Sequence, residues 1–523
     1  MAQLTLLPLL DARNAVLCSP DSELKEILLE TFRVLDFCPR ILTSFQSDLD
    51  LAAAAAKKER LVASTERQTA TPSLTGLPVL SVEEAETISP GSLPLNQGRP
   101  RSLDAEAVAM LGMARAHLDS LTSNRAFDRI RDSLVMNAYF EARGMSMPSR
   151  SVMHQWVNVL SEPSYELMFE AHLRMVMAEG LDDMKAVTAD SFSVWADTSW
   201  PTDSAMILGL LSRAWHCSGK LAELGLPGFS PAYIPLWLER IRRFDREISF
   251  ACGKAGSRRK IRRLYTHLCN RADLLLERLH RQLESLLPAW KEGIASFPFF
   301  VRKRAEGLLD RTTSDLDDTA RVVAYARERV LEGTTVPSSE KVLSLSDGSA
   351  AYIKKGGREP VIGYKPQVMR SADGFVTAFE LQTGNPNDAA RLLPLTLQHM
   401  VHTDLVPVEV SVDDGYSSAS NLEALKVLGV ETASMNGSKG KKITPDEQWD
   451  SPAYGEARNK RSAVESLVFT MRFKFHLHRF SRRGIDAVRI EMYEKVIAHN
   501  FWRAALLRKR AADAAPCIQS EVA

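Results

Sequence analysis

The sequence predicts an α/β protein whose sheet is divided by a long helical insertion and preceded by an all-helical segment. Three observations lead to this fold class. Residues 185–197 have a strand-like texture, whereas apolar residues recur at helical spacing from Pro201 to Glu332. Strand patterns resume at Lys341 and continue, with helices between them, to Met435. The sheet must therefore be built from strands on both sides of the insertion.

Bulk composition indicates an ordinary soluble protein of about three domains, at roughly 150 residues per domain. The chain has 523 residues, of which 45% are hydrophobic and 25% charged. Its six cysteines are scattered without a C-x-x-C pair, which argues against a zinc ribbon and a disulfide framework. The first residues lack the basic region of a signal peptide, and no stretch approaches ~18 apolar residues. We therefore expect a cytoplasmic protein with no membrane partner.

The formal net charge is only +1, but Lys and Arg residues are concentrated in two segments of the chain. Ten Lys/Arg and two acids lie between Arg240 and Arg263, and eight Lys/Arg and one acid lie between Arg458 and Arg483. Such clusters attract polyanions, although a solvated helix face is an equally good interpretation of the first one. The phosphate-binding candidates of the first cluster are Arg258, Arg259, Lys260, Arg262 and Arg263.

The N-terminal third is predicted to be helical apart from a linker. Residues 1–101 begin with a helical pattern around Ser22–Phe37, and their composition from about residue 52 onward is typical of a flexible linker. Residues 102–184 have helical spacing throughout and are the predicted DNA-binding domain. Within them, Met145–Leu160 resembles the turn and second helix of a helix-turn-helix, although any three-helix bundle offers a similar stretch. The polar groups that could reach base edges there are His154, Gln155 and Asn158.

The elements after the insertion alternate in type. The predicted strands are Lys341–Lys354, Val361–Val368, Gly374–Leu381, Val408–Val412 and Val430–Met435. The predicted helices are Ala389–His402, Asn421–Leu428 and a long region from Tyr454. A Gly/Lys-rich loop is predicted at Asn436–Lys442.

This order of elements is a ribonuclease-H-like layout split by an insertion. The predicted catalytic domain comprises residues 185–203 and 336–505, and the helical insertion comprises residues 204–335. The three tryptophans of the insertion (Trp215, Trp237, Trp290) are expected to be core residues. Residues 506–523 form the C-terminal tail, of which Ala511–Ala523 has the composition of a frayed or disordered end.

Asp413 ends a predicted strand. The valines of Val408–Val412 alternate, so one strand face is buried and Asp413 lies on the other face, at the carboxyl end. Ligands of open α/β sheets bind beyond the carboxyl ends of strands, where a carboxylate can reach a metal. The alternative is that Asp413 or Asp414 only initiates a turn.

Glu465 lies on a predicted helix among cations. Arg461, Glu465 and Arg472 are spaced four and seven apart, which places them within about 40° of one another on the helix. The arginines could keep the carboxylate ionised or bind phosphate. The alternative is an i,i+4 surface ion pair. The neighbouring apolar stripe is Val464, Leu467, Val468 and Met471.

Asp190 is the candidate from the first strand. Strand texture and Val194–Trp195 place it inside the sheet, where a charge is costly unless it is paired or bound to a metal. Asp197 is the fallback if the strand register differs, and Asp203 has the position of a helix N-terminus. Three carboxylates from two strands and a helix would suit Mg²⁺ or Mn²⁺, and two such ions can clamp a phosphodiester displacement.

Five motifs in this order resemble insertion-sequence DDE transposases of bacteria, over roughly residues 185–505. The motifs are Asp190 followed by Pro201-Thr202-Asp203-Ser204; Ile362-Gly363-Tyr364-Lys365; Asp373-Gly374-Phe375 with Gly384-Asn385-Pro386-Asn387-Asp388; Asp413-x-Gly415-Tyr416; and Arg461-x3-Glu465-x6-Arg472. Two positions depart from the family pattern: Arg458 stands where many relatives have Tyr, and Arg472 stands where Lys is commoner.

The resemblance implies a transposase that binds the inverted-repeat ends of its own element as a homodimer or larger assembly on double-stranded DNA. Asp190, Asp413 and Glu465 would be the catalytic metal ligands for two Mg²⁺ or Mn²⁺ ions, used for strand cleavage and then strand transfer. Phosphate would be bound by Lys365, Arg458, Arg461 and Arg472, together with the first basic cluster. The protein would be cytoplasmic and associated with the nucleoid.

Two other function classes remain open from the sequence. One is a catalytically silent DNA-binding protein derived from a transposase, and the other is a metal-dependent nuclease that does not join strands.

Overall fold

The computed structural model describes residues 11–70, 87–89, 103–118, 123–200, 202–354 and 359–514. The chain divides into two compact units. Unit 1 takes its described residues from 1–52, 96–197 and 352–523, and unit 2 takes them from 53–95 and 198–351. The chain thus leaves unit 1 after Asp197 and returns to it at Tyr352.

Eight described helices precede the first strand. Ser22, Ser133 and Ser149 each cap one of these helices, since the serine hydroxyl accepts a hydrogen bond from a backbone N–H of the first turn. The helices are α1 (Ala12–Leu17), α2 (Glu23–Phe37), α3 (Arg40–Ala70), α4 (Ala105–Leu118), α5 (Ser123–Asp132), α6 (Leu134–Ala142), α7 (Arg150–Val157) and α8 (Glu162–Ala178).

A mixed five-stranded sheet is the centre of unit 1, with the order β6-β5-β1-β7-β8. Strand β1 pairs antiparallel with β5 and parallel with β7, β5 pairs antiparallel with β6, and β7 pairs parallel with β8. A smaller sheet has the order β2-β4-β3. The strands are β1 (Ala186–Ser191), β2 (Val194–Trp195), β3 (Ala351–Ile353), β4 (Val361–Tyr364), β5 (Gln367–Ser371), β6 (Val376–Glu380), β7 (Glu409–Val412) and β8 (Thr432–Met435).

Helices cover the sheet and complete unit 1. The long C-terminal helix α19 contacts α2, α4 and α8, so the N-terminal helices pack in the same unit as the sheet. The predicted N-terminal segment 102–184 therefore shares a core with the predicted catalytic domain. The helices after β6 are α13 (Leu392–Thr403), α14 (Ala419–Leu428), α15 (Ser438–Ile443), α16 (Asp446–Trp449), α17 (Pro452–Lys460), α18 (Ala463–Phe473) and α19 (Ile485–Ala514).

Unit 2 is built largely from helices with their own apolar core. Trp290 is fully buried there, and its indole N–H donates to the carbonyl of Pro227. Trp215 and Trp237 are partly buried against the same core, which agrees with the prediction for these tryptophans. The helices of the insertion are α9 (Asp203–Glu223), α10 (Ile234–Ala251), α11 (Arg258–Ala295) and α12 (Phe299–Arg327).

Several local expectations differ from the structure for identifiable reasons. The chain is helical to Ala70, where composition predicted a linker, because the alanine-rich stretch after residue 52 has high helix propensity. Most of the remaining predicted linker lies outside the described residues. Strand structure in 341–354 is confined to β3, because the Ser344 hydroxyl accepts from the N–H groups of Ser346 and Asp347 and forms a local turn. The predicted loop at 436–442 contains α15.

Two further predictions concern the cysteines and membrane-spanning helices. The five described cysteines are free, whereas Cys517 lies outside the described residues. None of the described helices combines the length and the apolarity that a membrane crossing requires.

Candidate active site

Asp190 and Asp413 lie at the same edge of the large sheet. Val187 and Ala189 of β1 and Val410 and Val412 of β7 are buried in one core, which holds the two strands together. The parallel register pairs Ala189 with Val412, so the next residue on each strand is an aspartate. The two carboxylates therefore project from neighbouring positions at the carboxyl ends of β1 and β7.

The alternative candidate Asp197 is in a different place. It follows β2, which belongs to the smaller sheet, and its carboxylate pairs with Arg483 at 2.8 Å. Asp203 lies in the first turn of α9 in unit 2 and accepts two 2.7 Å hydrogen bonds from Arg329. Thr202, rather than Asp203, caps that helix. Pro201 lies outside the described residues.

The turn after β7 orients Asp413. The Gly415 N–H donates to Asp413 Oδ1 at 2.9 Å, which is a tight Asx turn. A Cβ atom on Gly415 would lie 3.0 Å from Asp413 Oδ1 and 3.2 Å from Asp388 Oδ2. A side chain at this position would therefore displace the two carboxylates by a few tenths of an ångström. Asp388 ends the motif Gly384-Asn385-Pro386-Asn387-Asp388, and its place beside Asp413 was not predicted from the sequence.

A buried network connects Asp388 to Tyr416. The Tyr416 hydroxyl donates to Gln367 Oε1, and Gln367 Nε2 donates to Asp388 Oδ1 at 2.7 Å. Burial raises the pKa of Tyr416 well above its usual value, and the nearby carboxylates of Asp388, Asp190 and Asp413 raise it further. The phenol is therefore neutral and can serve only as a hydrogen-bonding group at physiological pH.

Lys365 neutralises part of this acidic region. Its ammonium lies 2.7 Å from Asp388 Oδ1 and donates to the carbonyl of Pro386 at 3.0 Å. The side chain is largely buried, so it faces the carboxylates. Phosphate binding by Lys365 remains a prediction.

The guanidinium of Arg461 lies between the carboxylates of Glu465 and Asp190. Arg461 Nη2 lies 3.6 Å from Asp190 Oδ2, and Arg461 Nη1 lies 3.7 Å from Glu465 Oε1. The Asp190 side chain is 11% exposed, whereas that of Glu465 is 65% exposed. Arg461 thus lies between a buried acid and an exposed one, and it reduces the repulsion between them.

Arg472 fixes the helix that carries Glu465. Its Nη2 donates to the carbonyl of Ser193 at 2.7 Å, and its guanidinium lies 5.8 Å from the centre of the Phe192 ring. Val464, Leu467 and Met471 form the adjoining, buried side of α18. The motif arginine therefore joins α18 to the segment that follows β1, next to Asp190.

Asp190 and Asp413 lie next to each other, whereas Glu465, the third predicted metal ligand, does not join them. Within the described ranges, no group of three or more His, Cys, Asp or Glu side chains is arranged to hold a metal ion. Asp190 and Asp413 supply the hard oxygen ligands that Mg²⁺ and Mn²⁺ prefer, and Glu465 is separated from Asp190 by Arg461. The residues therefore fit a divalent cation at the two aspartates, with the third acid nearby.

The other predicted DNA-binding residues lie in different settings. The Arg458 guanidinium lies 4.9 Å from the centre of the Trp449 ring. In the helix-turn-helix candidate, His154 Nε2 contacts Asn124 at 2.7 Å and Asn158 accepts from Arg115 at 2.7 Å, while Gln155 is exposed. The predicted basic cluster of unit 2 is exposed on the first turns of α11; its members are Arg258, Arg259, Lys260, Arg262 and Arg263.

Part of that basic cluster lines a cavity in unit 2. The cavity has a volume of about 410 Å³, and its lining includes the cations Lys254, Arg258, Arg262 and Arg329 together with Glu332. Arg262 also donates to the carbonyl of Leu331, which fixes its guanidinium at the cavity wall. This arrangement could accept an anion, in agreement with the polyanion interpretation of the cluster.

Comparison with known proteins finds a family that resembles part of this chain. Residues 308–501 match the family model described as "Transposase DDE domain". This stretch is therefore similar to a transposase DDE domain, and the function class that the similarity supports is that of a transposase. Comparison with curated proteins and with solved structures gives no match.

The matched stretch begins within α12 and ends within α19, so it contains Asp413 and Glu465 but not Asp190. Asp190 is connected to the matched domain by structure, through the pairing of β1 with β7 and through Arg461.

Proposed function

We propose that this protein is a DNA transposase of the insertion-sequence type, which cuts the inverted-repeat ends of its element and joins the freed strands to target DNA. The observation that carries the proposal is the placement of Asp190 beside Asp413 at the carboxyl edge of one sheet, within a chain of which part is similar to a transposase DDE domain. The mixed sheet would be a ribonuclease-H-like core interrupted by the helices of unit 2.

The candidate residues would have distinct roles in this activity. Asp190 and Asp413 would hold a divalent cation between neighbouring strand ends, and Glu465 would complete the ligand set by a change of side-chain rotamer, which its exposure permits. When bound, Mg²⁺ or Mn²⁺ supplies a Lewis acid and lowers the pKa of water; two ions would serve the attacking and leaving oxygens. Arg461 would orient both acids, and Arg472 would hold α18 in place.

DNA would be bound outside this site as well. The exposed cations at the start of α11 would bind backbone phosphates, and the helices of residues 102–184 would bind the element ends. Pairing of two ends requires at least two copies of the protein, so we propose a dimer or a larger assembly on DNA. The activity would take place in the cytoplasm, at the nucleoid.

Purified protein with DNA from the flanks of its coding region and Mn²⁺ tests this function. We expect Asp190→Asn, Asp413→Asn and Glu465→Gln each to abolish cleavage, because each removes a charged metal ligand, while binding to the DNA ends changes little. Cleavage is followed on labelled duplexes, and binding is measured by fluorescence anisotropy. Asp197→Asn is the matched control, since this aspartate pairs with Arg483 outside the large sheet.

The products distinguish the alternatives. Cleavage followed by joining supports a transposase, cleavage alone supports a nuclease, and binding alone supports a silent DNA-binding protein. Near-wild-type cleavage by any one of the three variants would exclude that residue from the site.

A further inference from the structure

An exposed aromatic pair follows Glu465 on the same helix. Phe469 and Phe473 of α18 are 63% and 67% exposed, and their ring centroids lie 4.5 Å apart at an interplanar angle of 42°. Four residues advance a helix by about 40°, so Glu465, Phe469 and Phe473 lie on one side of α18. Two adjoining phenyl rings in solvent are costly, and such a surface commonly marks a binding site.

The helix does not need these rings for its own packing. Val464, Leu467 and Met471 form the buried side of α18, and the aromatic pair lies away from them. The hydroxyl groups between the rings are satisfied within the helix, since Ser466 donates to Ala463 and Thr470 donates to Ser466. The exposed side of α18 thus offers flat apolar rings without competing hydrogen-bond donors.

The charge around the pair favours a nucleic acid as the occupant. Glu465 is the only acid among residues 458–483, which contain eight Lys and Arg residues. Arg461 lies in the turn before α18 and contacts Glu465, and Arg472 lies on the side of α18 next to Glu465. Aromatic rings beside cations are the combination with which proteins bind single-stranded nucleic acids, because bases stack on the rings while phosphates contact the cations.

We propose that Phe469 and Phe473 stack on unpaired bases of the DNA strand that lies next to Glu465. The inference rests on the proposed function, because it assumes that DNA reaches the carboxylate site. Bases within a duplex stack on each other and leave no face for the rings, so the pair selects DNA that is locally unpaired. It would therefore hold the strand open beside the acids.

Binding of the full-length protein to two probes tests this role. The probes are a 20-nucleotide oligo(dT) and a fully paired 20-base-pair duplex, both fluorescent, and anisotropy is measured in EDTA so that no cleavage occurs. We expect the double variant Phe469→Ala/Phe473→Ala to bind oligo(dT) about tenfold or more weakly and the duplex within about twofold of wild type. Both side chains are exposed, so the thermal unfolding midpoint should be unchanged.

A second double variant separates stacking from simple apolar contact. Phe469→Leu/Phe473→Leu keeps an apolar surface but removes the rings, so it should lose most of the affinity that the alanine variant loses. Wild-type binding of oligo(dT) by the leucine variant, or equal losses on both probes, would overturn the inference. So would a change of oligomeric state in the alanine variant by sedimentation, since the pair would then join two copies of the chain.

Failure of the inference differs from failure of the proposed function. If the wild-type protein binds neither probe, the proposed DNA function is wrong. If it binds both and the two double variants behave like the wild type, only the stacking role is wrong.

Discussion

Arg461 is the cation that Asp190 and Glu465 share. It lies within 4 Å of Asp190 and of Glu465, so its removal leaves two carboxylates without their shared cation. We expect Arg461→Ala to lower the cleavage rate roughly 10–100-fold, the usual effect of removing a group that orients metal ligands. The cleavage rate of Arg461→Lys should lie between those of the wild type and Arg461→Ala, because one ammonium cannot span both acids.

Single-turnover cleavage at saturating DNA measures this effect without a contribution from binding. Lys460→Ala is the matched control, because it removes the neighbouring cation, which pairs with Glu409 at 2.9 Å instead of with the candidate acids. Equal rates for the Arg461 and Lys460 variants would show that general electrostatics, rather than orientation, explains any loss.

His399 makes stability depend on pH. Burial, together with a smaller effect of the nearby His402, lowers its pKa to about 4. The unfolded chain titrates near 6.5, so it binds more protons than the folded chain between these two values. The stability contributed by the neutral ring is fully present above pH ~6.5 and is lost as the pH falls towards 4.

Replacement of this ring should therefore flatten the pH profile. The free energy of unfolding falls between pH 7 and pH 5. We expect this fall to be about 1–2 kcal/mol smaller in His399→Leu than in the wild type. Chemical denaturation at the two pH values measures the difference. His478→Ala, a replacement of an exposed histidine, is the control. Identical profiles for wild type and His399→Leu would contradict the prediction.

The residues of the site were predictable to different degrees. Asp413 follows an alternating strand and Glu465 lies among cations at helical spacing, and the resemblance to the transposase motifs selected them over a turn residue and a surface ion pair. The position of Asp190 beside Asp413 depends on a pairing between strands more than 200 residues apart, which no local pattern contains. Asp388 was missed as a neighbour of Asp413 because a polar loop gives no periodic signal.

At the scale of elements, the turn that joins β7 to α14 controls the geometry of Asp413. A methyl group on Gly415 would lie 3.0 Å from Asp413 Oδ1 and 3.2 Å from Asp388 Oδ2, so both carboxylates would have to shift by a few tenths of an ångström. We expect Gly415→Ala to reduce cleavage about tenfold, because small displacements of catalytic groups have large effects on rate.

Gly455 in α17 is the matched control for this substitution. A Cβ there meets no atom within 4 Å, so Gly455→Ala should leave cleavage unchanged and stabilise the helix by about 0.5–1 kcal/mol. Cleavage assays and chemical denaturation of both variants check the pair of outcomes. An active Gly415→Ala enzyme would mean that the turn tolerates the displaced carboxylates.

Most strands were predictable because they are short runs of β-branched and aromatic residues bounded by turn residues. The order of the strands was not, since it depends on non-local pairing. Short elements were the main errors: α15 was expected to be a loop because of its glycines. Gly440 is required there because a Cβ would lie 1.8 Å from the Met435 carbonyl oxygen, so the glycine reflects close packing on β8.

At the scale of the whole molecule, the N-terminal helices belong to the unit that contains the sheet. The sequence predicted a separate helical domain at 102–184, because helical periodicity shows that a face is buried but not what buries it. In the structure, Glu494 of α19 accepts hydrogen bonds from Arg115 of α4, from Arg482 at 2.7 Å and from the Tyr165 hydroxyl of α8 at 2.8 Å. One carboxylate thus joins both ends of the chain.

Glu494 should therefore be one of the most sensitive polar positions in unit 1. Its side chain is 3% exposed, and neutralising it leaves the buried guanidinium of Arg115 without its counter-charge. We expect Glu494→Gln to destabilise unit 1 by about 3 kcal/mol, the usual cost of breaking a buried ion pair on one side. Chemical denaturation followed by circular dichroism measures the change, and Glu456→Gln on the exposed side of α17 should shift the midpoint little. If Glu494→Gln costs less than about 1 kcal/mol, this carboxylate is not what holds the N-terminal helices to α19.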